Sequence, residues 1–273
     1  MPQIPLPIEL SRTTRISINP DGSMQGENSF AAKPSPSGLA RHYEITLGVR
    51  GIPDPVTGYL IGIQDLDAIV RGPLYQIIAK QCQLDPTVEP GTMLPQLWSS
   101  AQSSVKHEMA LLRWTLSPYY CIEMNAASHN QNAVQIRQRF EFAAAHRLHA
   151  PELSDEENAR FFGKCNNPSG HGHNYRIEPC VQIDCDGLKQ VNAQLAIQDA
   201  VNRVLLDQLD HKFLNTDCDW FNQSKGGLIP SVENIARVCY EQLAPAIEQI
   251  GHSAHLVSLT AWETEKTSAI YPA

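Results

Sequence analysis

Apolar and polar positions in the second half of the chain recur with the periods of strands and helices. In IRQRFEFAAAHRL, Ile136, Phe140, Phe142, Ala144 and His146 share one parity and Arg137, Arg139 and Glu141 the other, which predicts a half-buried strand. LSDEENARFFG then offers Ser154 as a helix cap, Glu157 three residues on and Gly163 as a stop, so a short helix is expected with Cys165 just beyond it. A second strand is expected from His171 through HNYRIEPCVQI, with Pro179 marking an edge or a bulge and a turn at Asp186-Gly187. Leu195, Ala196, Val201, Leu205 and Leu209 suggest a helix over 192–209. A better marked helix is capped by Ser231, carries Val232, Ile235, Ala236, Cys239, Leu243 and Ile247 as one stripe, and ends at Gly251. In HLVSLTAWETE, Val257, Leu259, Ala261 and Glu263 share a parity, which sets an acid on the apolar face of a strand. Strands before and after paired helices predict an α+β fold with an antiparallel sheet.

Near the middle, MNAASHNQNAV is polar, rich in small residues and without period. It predicts a linker over 126–135 between domains 1–125 and 136–273. A length of 273 residues agrees with two domains. The hydrophobic share of 42% and charged share of 18% fit a soluble globular protein, and no apolar run approaches the ~18–20 residues of a membrane span. The first residues show no basic start followed by an apolar stretch, so a cytoplasmic location is expected. Seven cysteines, with no CxxC pair, argue against a disulfide framework and a zinc ribbon. A net charge of −8 disfavours nucleic acid as a partner.

The chemistry-bearing residues cluster in the second half. Residues two apart on a strand face the same way, so His171 and His173 present parallel imidazoles, while His146 lies on the core-side parity of a neighbouring strand. Three histidines with one open position form the pattern of a catalytic zinc site. The same residues also fit an exposed strand face and one satisfied core histidine. Cys165 lies between the histidine segments, where a nearby cation would lower its pKa and make it a base or nucleophile; otherwise it is a small buried hydrophobe. Asp210-His211 places a carboxylate beside an imidazole, a pair able to move a proton. Glu263, if buried, needs a partner such as the guanidine-like edge of a heterocycle.

FAAAHRL, LSDEENARFFGKCNNPSGHGHNY, LDHKFLN, PSVENIA and AWET, in that order over Arg139 to Thr264, resemble the 6-pyruvoyl-tetrahydropterin synthase family. The resemblance implies that His146, His171 and His173 bind Zn2+, that Cys165 is the general base, that Asp210 and His211 complete a proton relay, and that Glu263 anchors the pterin. Ser231 and Glu233 fall in the family's Thr-Glu-Asn region near the pterin, here with Ser and Val before Glu. The implied reaction converts 7,8-dihydroneopterin triphosphate to 6-pyruvoyl-tetrahydropterin with loss of triphosphate and no redox cofactor. The spacing between Cys165 and His171 looks more like this branch than like 6-carboxytetrahydropterin synthase of the queuosine pathway. A third alternative is a pterin-binding protein without catalysis. The implied architecture is the tunnelling fold, an antiparallel sheet with helices on one face, whose units assemble into a barrel, and a homo-oligomer.

The first half reads as a worn copy. Setting GLARHYEITLGVRG beside GHGHNYRIEPCVQI puts Gly38 on Gly170, Leu39 on His171, Arg41 on His173 and Tyr43 on Tyr175. SFAAK puts Lys33 at the place of His146, QLDP puts Pro86 at that of His211, and the cysteine-bearing helix is missing. A tandem duplication is expected, in which 1–125 keeps the tunnelling fold without metal ligands.

Overall fold

The computed structural model of the chain describes residues 6–23 and 35–273. They fall into two compact units: Met1–Ile136 with Ile183–Val191, and Arg137–Gln182 with Asn192–Ala273.

In the first unit, β1 (Ile8–Ile18), β2 (Arg41–Gly51), β3 (Glu108–Ser117) and β4 (Tyr120–Asn125) pair in that order, each antiparallel to the next. Tyr43, Ile45, Leu47 and Val49 of β2 alternate into the core. Helices 63–84 and Leu94–Ser104 pack on β1, β3 and β4 through buried Leu66, Leu74, Ile78, Leu97 and Trp98. Arg12 donates to both carboxylate oxygens of Asp67 (3.0 and 2.8 Å) and Thr14 to one (2.6 Å), which ties β1 to the first helix.

The segment expected as a linker over 126–135 is folded instead. Asn125 and Ser128 form a reciprocal capping box at the start of helix Ala126–Asn130, and the ring of His129 stacks on Trp98 at 4.8 Å. In β5 (Ala133–Gln138), Ala133, Val134, Gln135 and Ile136 are buried. A tether would leave these groups in water; here they complete the first unit. Ile183–Val191 joins them, with the Cys185 N–H donating to the Asn132 carbonyl at 3.0 Å and Leu188 only 2% exposed.

In the second unit, β7 (His171–Asp184) pairs antiparallel with β6 (Phe140–His146) and with β9 (His255–Thr264); β8 (Lys212–Phe213) adds a short parallel bridge to β6, and β10 (Thr267–Tyr271) closes a hairpin on β9. The strand expected as one run from Ile136 is thus broken at Arg139. Pro179 lies opposite Leu259, and the register slips at the next step, between Cys180 and Val181, so the proline accompanies a bulge. Helix Val232–Glu248 packs on β9 and β10, and every member of its expected stripe is buried. Helix 193–209 departs from expectation. Its hydrogen bonding widens over Asn202–Leu206, which shifts the phase of the turns before it. Leu195 is accordingly 54% exposed and Ala193, Ile197 and Ala200 are buried in that stretch, while Val201, Leu205 and Leu209 are buried as expected.

The first unit runs strand, strand, helix, helix, strand, strand before helix Ala126–Asn130 and β5; the second has helix Asp155–Phe162 between its first two strands and β8 between its later helices. No helix among the described residues is long and apolar enough to cross a membrane.

Candidate functional site

The β6–β7 register sets His146 opposite His171 and Ala144 opposite His173. All three imidazoles leave the same side of the two strands, and their candidate ligand atoms lie within 4.8 Å of one another. His146 is wholly buried. Its Nδ1 lies 2.7 Å from the Pro230 carbonyl, which can only accept, so Nδ1 carries the proton and Nε2 a lone pair. That Nε2 is 3.1 Å from His171 Nε2 and 3.3 Å from Glu263 Oε1. The same Glu263 oxygen is 3.6 Å from His173 Nε2. His171 Nδ1 and His173 Nε2 are buried and have no hydrogen-bond partner among the described residues.

Several lone pairs aimed at one point repel unless a cation or proton lies between them. Burial lowers the pKa of His146 to about 4, against the opposing hydrogen bond to Pro230, and burial also lowers His173 against the attraction of Glu263. Burial therefore favours the neutral form of His146 and His173, the form in which a histidine binds a metal. Three neutral nitrogens suit zinc, copper, iron or nickel rather than the oxygen-seeking magnesium and calcium. The donor set fits the zinc expected from the sequence.

The elements deliver these groups for local reasons. Ser154 and Glu157 form the expected capping box of helix Asp155–Phe162, and Gly163 ends it at φ 53°. The chain then turns through Gly163–Asn166, and the Cys165 carbonyl accepts from the Leu148 N–H at 2.9 Å, which holds the cysteine beside the residues after His146. Burial, and secondarily Glu263, raise the Cys165 thiol above its ordinary value. The protein groups alone thus keep the thiol protonated, and the lowering expected beside a cation would have to come from a bound metal.

Asp210 and His211 form their own pair, with Oδ2 2.9 Å from Nδ1. The Ala143 N–H donates to Asp210 at 2.9 Å and is the main reason that its pKa is lowered. The His211 N–H returns a bond to the Ala143 carbonyl at 2.6 Å, and its backbone takes a positive φ of 57°. The His211 side chain is 81% exposed. Among the described residues no hydrogen bond joins this pair to Cys165, but His211 and His173 both line an open groove of about 500 Å3 along β6 and β7.

Ser231 accepts from the Asn234 N–H at 3.4 Å and caps helix Val232–Glu248, while Glu233 sits exposed in its first turn. The sequence reading missed two groups. Tyr175 is buried, its hydroxyl 3.2 Å from His146 Nδ1, and burial followed by Glu263 and Cys165 raises its pKa. The signal was its parity with the two histidines in HGHNY. The other is the Pro230 carbonyl, a backbone group that no side-chain pattern announces.

The first unit has no such cluster among its described residues. Tyr43 pairs with Ile16 as Tyr175 pairs with Phe142, and the β1–β2 pairing ends at Ile18 and Arg41, short of the counterpart of the His146–His171 pair. Lys33, expected there, lies outside the described residues. Leu39 is 94% exposed.

The profile of the 6-pyruvoyl tetrahydropterin synthase family matches residues 135–273. The human 6-pyruvoyl tetrahydrobiopterin synthase is 33% identical over 138 residues, which are 50% of this chain and 90% of the human protein. The Drosophila melanogaster protein of that name is 37% identical over 109 residues, 40% of this chain and 62% of its own length. The structure of Caenorhabditis elegans 6-pyruvoyl tetrahydropterin synthase covers 51% of this chain and 94% of itself, at 32% identity and a TM-score of 0.44. Through its second half, which contains the three histidines, the chain belongs to the 6-pyruvoyl tetrahydropterin synthase family.

Proposed function

We propose that the chain is a zinc-dependent 6-pyruvoyl tetrahydropterin synthase, converting 7,8-dihydroneopterin triphosphate to 6-pyruvoyl tetrahydropterin with elimination of triphosphate. The observation that carries this reading is the convergence of His146 Nε2, His171 and His173 with the Glu263 carboxylate. His146, His171 and His173 would hold the zinc, which when bound supplies Lewis acidity to the substrate's side-chain hydroxyls and the neighbouring C–H.

The chain's own groups divide the remaining work. Glu263 receives the guanidine-like edge of the pterin, a charge-assisted pairing strengthened by its partial burial. Cys165, delivered by the turn after Gly163, takes a proton from the substrate side chain as general base. Asp210 is pinned by Ala143 and orients His211, whose exposed ring carries protons between the groove and solvent. Ser231 sets the start of the helix beside the pterin edge, with Glu233 at its rim. Tyr175 and the Pro230 carbonyl fix the plane and tautomer of His146.

Zinc-loaded protein incubated with dihydroneopterin triphosphate should yield 6-pyruvoyl tetrahydropterin and triphosphate by mass spectrometry. Cys165→Ala should keep its metal and lose about 10²–10⁴-fold in turnover. A carboxylated pterin, no conversion by the loaded protein, or near-normal turnover of Cys165→Ala would each contradict the reading.

A further inference from the structure

Cys165 sits on a turn that apolar packing does little to hold. No residue of Gly163–Asn166 is buried. The helix Asp155–Phe162 before it buries only Asn158, and does so through hydrogen bonds of that side chain to the Ala150 N–H (2.8 Å) and carbonyl (2.9 Å). A segment with so little apolar burial is placed by its polar ties, and those ties decide where the thiol stands.

The ties come from the residues just after His146. One is the bond from the Leu148 N–H to the Cys165 carbonyl. Arg147 makes the others. Its Nε is 3.2 Å from the Asn166 carbonyl and 3.1 Å from Asn166 Oδ1, so one N–H is shared between two oxygens of the residue next to the cysteine. Its Nη2 lies 3.2 Å from His149 Nδ1, which is itself 3.1 Å from Asn166 Oδ1. The backbone of Arg147 is pinned in turn: Asn215, in helix Leu214–Asp217, accepts from the Arg147 N–H at 2.7 Å and donates to its carbonyl at 2.9 Å. Arg147 thus joins three stretches that are distant in sequence, namely the end of the strand that carries His146, the segment after the Asp210–His211 pair, and the turn of the cysteine. A guanidinium suits this task, because its planar fork sends donors in two directions where a lysine ammonium is a single point.

We propose that Arg147 is a positioning residue, which fixes the Cys165 turn against the strand of His146 and acts on turnover through that turn. The proposal rests on the reading of Cys165 as the general base. A misplacement of about 1 Å at a reacting group can cost about 10²-fold in rate, which sets the scale of the effect.

Steady-state kinetics of the zinc-loaded full chain with dihydroneopterin triphosphate should show kcat lowered about 10–10²-fold in Arg147→Gln, with KM within about twofold and zinc retained. Arg147→Lys, the milder change, should show the same pattern at smaller amplitude. In hydrogen–deuterium exchange both variants should take up deuterium faster than the wild type in peptides containing Leu148 and Asn167, whose N–H groups bond to the turn and within it. Asn166→Ala, which removes one acceptor, should lower kcat by a smaller factor and add little in the double variant with Arg147→Gln, as expected when two side chains act through one contact. A raised KM at unchanged kcat would make Arg147 a substrate-binding cation, and unchanged kcat or unchanged exchange would show that the turn does not depend on it; each overturns the proposal. A wild-type chain without synthase turnover would instead overturn the reading of function, while the exchange would still decide whether Arg147 holds the turn.

Discussion

At His146 a buried ring must stay neutral, and the protein secures this by withholding water, against the opposing pull of the Pro230 carbonyl that Nδ1 donates to. Its folded pKa of about 4 lies below the ordinary 6.5. Between these values the unfolded chain binds the proton that the folded chain refuses, so the stabilising contribution is complete above about pH 6.5 and is lost as pH falls through about 4. Metal-free protein should therefore melt at a lower temperature at about pH 5 than at about pH 7. His146→Gln should flatten that difference in a pH series of thermal scans, and an unchanged slope would assign it to another group. The His-x-His pair was legible because a strand's period of two is rigid. The shift of Cys165 was not, since burial and the approach of Glu263 are made by residues distant in sequence.

Elements with one unbroken period and a side-chain cap were the readable ones. Helix Val232–Glu248 shows both, and its cap reaches the site, because Ser231 follows the Pro230 whose carbonyl orients His146. Ser231→Ala should cost about 1 kcal/mol in denaturant unfolding and also weaken metal retention against a chelator. A stability loss with metal affinity intact would show that the cap and the ligand are uncoupled. Helix 193–209 was misphased only in its first turns, before the widened turn that breaks the period on which the expectation relied; Val201, Leu205 and Leu209 are buried as read. Helix Ala126–Asn130 was read as linker because five residues are too few to display a period; only the Asn125 and Ser128 pair marked it. β10 has the mixed exposure of a short edge strand and left no alternation to read.

At the scale of the molecule, each unit places helices between two pairs of strands, the second with helix Asp155–Phe162 and β8 inserted, and the metal-type cluster occurs once among the described residues. We propose that the two halves are tandem copies, of which the first lost the ligands. Metal analysis of the purified protein should find close to one zinc per chain, and two would place a second site where Leu39 and Arg41 now stand. The boundary between the copies was half legible. The split near Ile136 follows the change in pattern, but the return of Ile183–Val191 to the first unit rests on backbone bonds and burial that no local pattern carries.

That return has a consequence for how the chain matures during synthesis. The first unit cannot close until residue 191 has left the ribosome, by which time Arg137–Gln182, with all three histidines, is already outside. The second unit must still wait for helix Val232–Glu248 and for β9 with Glu263. Vectorial translation thus lets the half without ligands finish first, as amino-terminal units generally do. The histidines meanwhile remain on a chain whose Pro230 carbonyl and Glu263 carboxylate have yet to join them, so the proposed metal site is completed only at the last stage of synthesis.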